Sequence, residues 1–486
     1  MSNNWTNIGS YIQEYTKGIT PKYVQQSNTI VLNQKCIRDN QIDYSFAQFV
    51  DDNQNIREDK YIRIGDILIN STGQGTAGRI AFVESLPNDK KVTIDSHILI
   101  LRCEDIITAN LIRYSLFSFE KTLMTFIDGS SGQGEFDKIR LFGTKIKLPT
   151  NNNILIVKLL SSIDKKIKLN NKIISELEQM AKELYDYWFV QFDFPDADGK
   201  PYRSSGGKMV YSQVLKCEIP EGWDVSAIGK WIELEKGGDW GSDEESGNYS
   251  LKVYCIRGAD INGVNGNGSI NAPLRFINKN NTDKLLSNGD VIIEISGGSP
   301  TQSTGRAALV TDAVIERFSN PIICSNFCKA LTLKDLTFRY NFIYEWQRVY
   351  DSGVLFGFEG KTSGIKNFLY DAFIKSFNVA TPPKYLKEKF VAIIDTFNYK
   401  KHKLLNENKE LATLRDWLLP MLMNGQVTVQ TDTKEETGKA TPIINLSRQR
   451  NQRFELWLSN QGAAARGEID KATLREIFDA MDEDDK

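Results

Sequence analysis

Side chains that can hydrogen-bond to nucleic-acid bases are concentrated in two glycine-containing stretches. The first reads GDILINSTGQGTAGRIAFV at residues 65–83, and the second reads GDVIIEISGGSPTQSTGRAALV at residues 289–310. Arginine can bind guanine through two hydrogen bonds, asparagine and glutamine can bind adenine in the same way, and serine or threonine can bind a base or a phosphate. The two stretches are therefore candidate recognition loops for a ligand of that chemistry.

The glycines at 73, 75 and 78 also form a G-x-G-x-x-G pattern, which is typical of dinucleotide-binding loops. Such a loop opens a helix whose N-terminus faces the pyrophosphate, whereas the residues after Gly78 form a strand-like apolar run. The second stretch lacks the glycine spacing. We therefore predict two β-hairpins whose glycines supply positive φ angles, and a dinucleotide enzyme is the weaker alternative.

The two stretches belong to a longer internal repeat. IGSYIQ at residues 8–13 matches IGKWIE at residues 228–233, and Phe136 has a counterpart in Phe368. The matches are collinear, and the separation between matched positions grows slowly, as small loop insertions in a second copy would produce. We expect each copy to be a largely β unit with exposed loops.

A long helix is predicted after each copy. Residues 150–190 contain neither glycine nor proline, and their apolar residues recur at alternating steps of four and three, which is typical of a coiled-coil seam. A second, less regular seam lies in residues 384–425. The predicted spacer and partner-docking positions are Ile163, Ile167, Asn170, Ile174, Leu177 and Leu184 in the first helix, and Ile394, Phe397, Leu404, Leu411 and Leu418 in the second.

Neither helix can bury its apolar stripe alone, so we expect the two to pack antiparallel around a pseudo-two-fold axis. A helix from Ile154 to Trp188 would be about 50 Å long. Asn170 is the polar member of the first seam, and two interpretations stay open: a buried asparagine that sets the register, or a solvated position at the end of the seam.

The predicted fold class is α+β, with two repeated mainly-β domains separated by two long antiparallel coiled-coil helices. The predicted boundaries are a first domain at 1–149, a central spacer helix at 150–190, a connector at 191–219, a second domain at 220–383, a distal spacer helix at 384–425 and a C-terminal tail with short helices at 426–486.

Composition argues against several classes of protein. No apolar run is long enough to span a bilayer, and the first residues lack the pattern of a secretory signal, so we expect a cytoplasmic protein that does not enter a membrane. The formal net charge of −2 argues neither for nor against a nucleic-acid partner. The six cysteines, with only His97 and His402 beside them, give no zinc pattern and are predicted to be reduced core residues.

The search for catalytic residues finds none that we assign. TPPKY at residues 381–385 differs from the Asp/Asn-Pro-Pro-aromatic loop of an adenine methyltransferase. Asp196, Asp198 and Lys200 fit a connector turn better than a nuclease site. Two histidines leave little for a nucleophilic triad. We therefore predict a binding protein with no catalytic residue and no metal ligand.

Two related units at a fixed distance suit a rigid ligand with two separated sites, and duplex DNA is such a ligand. The predicted DNA-binding residues are Asn70, Ser71, Thr72, Gln74 and Arg79 in the first copy, and Trp240, Arg257, Thr301, Gln302, Ser303, Thr304, Arg306 and Lys361 in the second. The alternative for each loop is a solvated hairpin in which Arg79 and Arg306 make local salt bridges. The alternative for the whole chain is a tandem β-domain adaptor that binds protein or glycan.

Further strings extend the pattern: GDILIN and GDVIIE in the two copies, KGGDWG at 236–241, YCIRGADI at 254–261, and the join YDYWFVQFDFPDADGKPYRSSGGKMV followed by IPEGW. With these strings the chain resembles, over about residues 1–425, the specificity subunit of type I restriction-modification systems.

The resemblance implies two target-recognition domains that each read one half of a split double-stranded DNA site, and spacer helices that dock two methyltransferase (modification) subunits. Restriction or translocase subunits can join such an assembly. It also implies that this chain holds no cofactor, because S-adenosylmethionine and ATP bind to the partner subunits. The resemblance does not cover the tail.

Overall fold

The computed structural model describes residues 5–38, 40–73, 75–128, 135–149, 153–297, 301–362, 365–431 and 442–446. Helices and sheets are mixed along the chain. Two compact units are present, one formed by residues 1–166 with 411–486 and the other by residues 167–410. Each unit contains one copy of the repeat.

The strands up to residue 146 are β1 (Thr6–Asn7), β2 (Ile12–Lys17), β3 (Tyr23–Val24), β4 (Thr29–Leu32), β5 (Ile37–Arg38), β6 (Gln41–Ile42), β7 (Gln48–Val50), β8 (Ile67–Asn70), β9 (Ile80–Phe82), β10 (Lys91–Ile94), β11 (Ile98–Cys103), β12 (Ile127–Asp128), β13 (Glu135–Phe136) and β14 (Lys145–Ile146). The later strands are β15 (Met209–Ser212), β16 (Cys217–Pro220), β17 (Asp224–Ala227), β18 (Ile232–Gly237), β19 (Tyr249–Ile256), β20 (Leu274–Asn278), β21 (Val291–Glu294), β22 (Ser296–Gly297), β23 (Ala307–Leu309), β24 (Ile322–Cys324), β25 (Cys328–Leu333), β26 (Glu359–Thr362), β27 (Ile365–Phe368), β28 (Asn378–Thr381), β29 (Val427–Thr431) and β30 (Pro442–Leu446). The helices are α1 (Ile106–Ser118), α2 (Glu120–Leu123), α3 (Lys138–Gly143), α4 (Asn153–Tyr185), α5 (Ile261–Val264), α6 (Asp312–Ile315), α7 (Arg339–Asp351), α8 (Tyr370–Ser376) and α9 (Lys384–Met423).

The same four-stranded antiparallel sheet occurs in both units. Its strand order is β2-β11-β8-β9 in the first and β18-β25-β21-β23 in the second. Ile67 pairs with Phe82 in the first sheet, and Val291 pairs with Leu309 at the matched place in the second. Each unit also has a second sheet with one parallel pair, β4 with β10 and β19 with β24. The internal repeat in the sequence is therefore a repeat of topology.

One inner strand of each four-stranded sheet, β8 in the first unit and β21 in the second, is buried on both faces. Ile67 and Ile69 pack in one apolar cluster while Leu68 packs in another, because successive side chains of a strand point to opposite faces. In β21 of the second unit, Val291 and Ile293 likewise pack in one apolar cluster while Ile292 packs in another. Cover on both faces explains why GDILIN and GDVIIE read as continuous apolar runs rather than as alternating patterns.

The two long helices of the chain are α4 and α9. α4 covers most of residues 150–190 and continues as a π-helical turn at Asp186–Val190. α9 runs through Pro420 to Met423, and Gly425 follows with a φ of 68°, a conformation that favours glycine after a helix end. The first seam is largely buried: Asn170 is 0% exposed and Ile174 is 4% exposed. The solvated interpretation of Asn170 is therefore wrong.

The two helices contact each other within each unit. In the unit of residues 167–410, Asn170 Nδ2 donates to Glu407 Oε2 and to Asn408 Oδ1, at 2.9 Å each, and Lys401 Nζ lies 3.0 Å from Glu178 Oε1. Residue numbers rise along α4 as they fall along α9, so these segments run antiparallel. In the other unit, Arg415 Nη1 lies 3.0 Å from Asp164 Oδ1.

Burial along the predicted seams is graded rather than uniform. Side chains that the structure buries are Ile163, Ile174, Ile394 and Leu418, and those that it buries in part are Ile167, Leu177, Leu184, Phe397, Leu404 and Leu411. His402 of α9 is buried as well, although it lies off the predicted seam. The sequence pattern did not predict the burial of His402, because the seam position in that turn of the helix is occupied by its neighbour Lys401.

One prediction about the cysteines is wrong. Cys36, Cys255, Cys324 and Cys328 are buried thiols, but Cys217 is exposed on β16. That strand forms a two-stranded hairpin with β15, and its residues Cys217 and Glu218 face solvent.

The tail is described only in part. β29 and β30 pair as an antiparallel hairpin, and the short helices predicted further along lie outside the described residues. Among the helices of the described ranges, none combines the length and apolarity that a membrane crossing needs.

Candidate nucleic-acid interface

The loop of the first repeat is a β-hairpin, as predicted. β8 and β9 pair antiparallel on its two sides, and Gly73, Gly75 and Gly78 have φ angles of 100°, 75° and 85°. Gly78 is also required sterically, since a Cβ there would lie 2.8 Å from the backbone nitrogen of Met124. The glycine pattern therefore serves a tight reversal between strands.

Several polar residues of this loop hold its conformation. Asn70 is completely buried, and its Nδ2 donates to the main-chain oxygens of Gln34 and Thr76, at 3.2 Å each. Thr72 Oγ1 accepts from Gln34 Nε2 and lies 2.7 Å from His97 Nδ1. Ser71 is buried too. Asn70 therefore supports the loop from inside, whereas the buried Ser71 hydroxyl has no hydrogen-bond partner among the described residues and Thr72 is partly exposed.

The second loop is fixed by a different set of contacts. The backbone nitrogen of Thr304 donates to Glu359 Oε1 at 2.8 Å, and Trp346 Nε1 donates to the oxygen of Gly305 at 2.7 Å. Ser303 and Thr304 are buried, whereas Thr301 is exposed and Gln302 is half-buried. Thr301 and Gln302 are therefore the members of this loop whose position suits contact with a ligand.

The two loop arginines differ. Arg306 makes a bidentate ion pair with Glu294, with Nε–Oε2 at 2.9 Å and Nη2–Oε1 at 2.7 Å, and this pairing raises the pKa of Arg306. The local salt bridge that the sequence left open is thus present in the second repeat. Within the described residues, the Arg79 side chain makes neither an ion pair nor a hydrogen bond.

Trp240 and Arg257 lie at the other predicted positions of the second repeat. The Trp240 ring is 39% exposed and carries the guanidinium of Arg275 at 4.4 Å from its centroid. Arg257 Nε lies 2.9 Å from Asp260 Oδ2, and its Nη2 donates to the oxygen of Asn271 at 2.8 Å. Gln74 and the side chain of Lys361 lie outside the described part of the chain.

Sequence reasoning missed Arg275, which is buried and forms an ion pair with Asp243. No local sequence pattern predicts this contact, because Arg275 lies on strand β20, 35 residues along the chain from Trp240, whose main-chain oxygen accepts a hydrogen bond from it. Contact of any loop residue with a base stays a prediction. Two of the partly exposed predicted residues, Arg257 and Arg306, are already paired with carboxylates. The other partly exposed or exposed residues of the described set, whose placement is compatible with such contact, are Thr72, Arg79, Trp240, Thr301 and Gln302.

Comparison with known proteins gives related matches by sequence and by structure. Residues 14–179 match the family described as type I restriction modification DNA specificity domain. The type I restriction enzyme MjaIX specificity subunit of Methanocaldococcus jannaschii is 24% identical over 338 residues, which are 65% of this chain and 69% of that protein. The crystal structure of a type I restriction-modification system S subunit from M. genitalium aligns with a TM-score of 0.50 at 15% identity, covering 87% of this chain and 97% of that one.

The structural likeness shows a shared fold. Residues 14–179 match the type I restriction modification DNA specificity domain, and the chain is similar in sequence to a specificity subunit of a type I restriction enzyme.

Proposed function

We propose that this chain is the DNA sequence-recognition subunit of a type I restriction-modification complex and that its two repeats each read one half of a bipartite site. The observation that carries the proposal is the specificity-domain match in a chain whose two units contain the same four-stranded sheet. Two equivalent scaffolds with different loop residues would read two different half-sequences of one duplex.

Both loops contain a described residue that is already held by hydrogen bonds to a distant part of its unit, and this suits recognition. Thr304 is tied to Glu359 in the second loop, and Thr72 is tied to Gln34 in the first. A binding loop that is already ordered loses less conformational entropy when its ligand arrives, so more of the contact free energy remains for affinity. The exposed Thr301 and the half-buried Gln302 would then contact bases or phosphates.

The long helices are proposed as spacer and docking elements, with the coiled-coil arrangement and the domain boundaries predicted from the sequence. Apolar side chains remain exposed on them, among them Leu169 (52%), Met180 (52%) and Tyr399 (70%). These positions are proposed to be part of the surface that other proteins contact. Two methyltransferase subunits would dock there, and restriction subunits could join them.

Catalysis is proposed to reside entirely in those partners, which would hold S-adenosylmethionine and ATP. The purified chain mixed with duplex DNA and S-adenosylmethionine should then transfer no methyl group. Methyl transfer in the absence of partners would contradict the proposal.

The deciding experiment maps adenine methylation across genomic DNA in cells that express this chain with its modification subunits. The expected result is one split motif, with two specified halves separated by an unspecified gap of constant length. A continuous motif, or methylation unchanged from cells without the chain, would refute the bipartite function. The rival adaptor that binds protein or glycan has no support among the sequence matches. An adaptor of that kind would not neutralise DNA phosphates, so its affinity for DNA would not fall steeply as the salt concentration rises.

A further inference from the structure

The loops of the two repeats have the same backbone hydrogen bonds but different charges. Asn70 N donates to the oxygen of Arg79, and Gly78 N donates to the oxygen of Asn70, at 3.0 and 2.8 Å. In the second repeat, Glu294 N donates to Arg306 and Gly305 N donates to Glu294, at 2.9 and 3.0 Å. Asn70 therefore occupies the position of Glu294, and Arg79 occupies the position of Arg306.

The second repeat supplies its own anion at this position. The Glu294 side chain is 3% exposed and binds two nitrogens of the Arg306 guanidinium. Two glycines make room for it: a Cβ at Gly258 would lie 2.4 Å from Glu294 Oε1, and one at Gly297 would lie 2.8 Å from it. The carboxylate is thus built into the second repeat.

The first repeat lacks that carboxylate. Asn70 is neutral, and its donor group is used by two main-chain oxygens. No other carboxylate replaces it, because Arg79 makes no ion pair with any described residue. The matched arginine is therefore neutralised in the second repeat and left with its charge in the first.

Arg79 lines a polar cavity of about 340 Å³ together with Arg38, Asn40, Glu120 and Arg415. Arg415 is paired with Asp164 and Asp416. Arg38, like Arg79, has no side-chain partner in the part of the chain that the structure describes. Asn40 Oδ1 is buried without a partner among those residues, and the residue has a φ of 61°. The cavity is thus lined by the guanidinium groups of Arg38 and Arg79, which have no partner among the described residues. Of the five lining residues, one carries a carboxylate, Glu120.

We propose that this cavity binds a phosphate group, which takes the place that Glu294 occupies in the second repeat. Guanidinium groups bind phosphate through parallel charge-assisted hydrogen bonds, which makes arginine the preferred residue for such a ligand. The phosphate belongs to the backbone of duplex DNA, and this assignment of the source rests on the function proposed above. The first repeat then uses a phosphate of its ligand to complete a network that the second repeat completes internally.

The test uses the full chain and two variants of the cavity, Arg79→Gln and the double substitution Arg38→Gln with Arg79→Gln. Inorganic phosphate, compared with chloride at equal ionic strength, should raise the melting temperature of the unmodified chain by more than that of the double variant. The rise that remains in the double variant is the general stabilisation that phosphate gives by exclusion from a protein surface, and the difference between the two rises is the phosphate effect of the site. For duplex DNA, the plot of log affinity against log salt should become less steep by about one unit for each phosphate that the variant no longer neutralises.

Arg57→Gln is the matched control, because it removes one positive charge from the same unit at a side chain that is 77% exposed and already paired with Asp59. It should keep both the phosphate effect and the salt slope. Circular dichroism of each variant checks that its fold is retained.

The outcomes separate the site from the function. Loss of the phosphate effect together with a shallower DNA slope supports a backbone phosphate at the site. Loss of the phosphate effect with an unchanged DNA slope supports the same site for a free phosphate ligand. A phosphate effect in a chain that does not bind DNA would keep the site and refute the function. Identical phosphate responses and DNA slopes in the unmodified chain and the double variant would overturn the proposal.

Discussion

At the residue scale, the chemistry of this protein depends on which charges are already neutralised. Arg79 and Arg306 share a sequence context and a backbone environment, yet only Arg306 has a carboxylate at its guanidinium among the described residues. The sequence already contains this difference, because aligning the two repeats places the neutral Asn70 at the position of the acidic Glu294. It could be interpreted only when the structure showed that these positions lie beside the arginines.

His402 gives a pH-dependent prediction at this scale. It is buried in α9, and burial, with the nearby charges of Lys401 and Arg317, lowers its pKa from 6.5 to about 3. Below pH 6.5 the His402 side chain is therefore protonated in the unfolded chain but stays neutral in the folded chain. The stability from neutral His402 is complete above pH 6.5 and is lost progressively as the pH falls toward 3.

Replacing His402 with Gln removes this titration. Between pH 6.5 and pH 5 the free energy of unfolding of the unmodified chain should fall by about 2 kcal/mol more than that of His402→Gln. Denaturant titrations at the two pH values measure the difference. Equal losses in both proteins would show that His402 is protonated normally in the folded state.

At the element scale, the contact between the long helices combines apolar packing with a polar centre. Asn170 is fully buried between apolar neighbours in the seam, and its Nδ2 donates to one carboxylate and one amide of α9. A buried hydrogen-bonded asparagine in a helix seam lowers stability but disfavours other registers. The register role of Asn170 stays a prediction.

Asn170→Asp should destabilise this contact, because it replaces a donor with a carboxylate opposite Glu407. The expected loss is about 2 kcal/mol or more at neutral pH, since a charge-assisted hydrogen bond becomes a repulsion in a buried place. Thermal unfolding measures it.

Asn171→Asp is the matched control for this change. Asn171 is exposed, and its Oδ1 accepts from Asn408 Nδ2 at 2.7 Å, so an aspartate there keeps the acceptor. Similar losses for the two substitutions would contradict the role assigned to Asn170.

At the scale of the whole molecule, two copies of one topology and two long helices form the chain. If the helices set the distance between two recognition units, as proposed, their length determines the gap in the DNA site. Asn170 of α4 is hydrogen-bonded to Asn408 of α9. When this pairing is continued along both antiparallel helices, residues 168–174 match residues 404–410. These two heptads can therefore be removed together without changing which seam positions meet.

The double heptad deletion should shorten the gap of the methylated motif by about 3 base pairs, because seven helical residues rise about 10 Å and duplex DNA rises about 3.4 Å per base pair. Methylation mapping with the same modification subunits gives the gap directly. Deleting one heptad alone should instead abolish methylation, since it misaligns the seam. An unchanged gap in the double deletion would refute the spacer function.

The sequence by itself determined the elements that depend on local periodicity. The glycine spacing predicted the hairpin at 73–78, the collinear strings predicted the repeated sheet, and the four-three pattern predicted α4 and most of α9. These features follow from backbone geometry and from which face of an element must be buried, so neighbouring residues carry the information.

Only the tertiary structure decided which polar side chains support the loops and which remain available to a ligand. Thr304 is held by Glu359 from 55 residues away, and Thr72 is held by Gln34 from 38 residues away. The cavity beside Arg79 is lined by residues as distant in sequence as Arg38 and Arg415. Burial and charge neutralisation depend on such long-range neighbours, and a pattern read along the chain does not contain them.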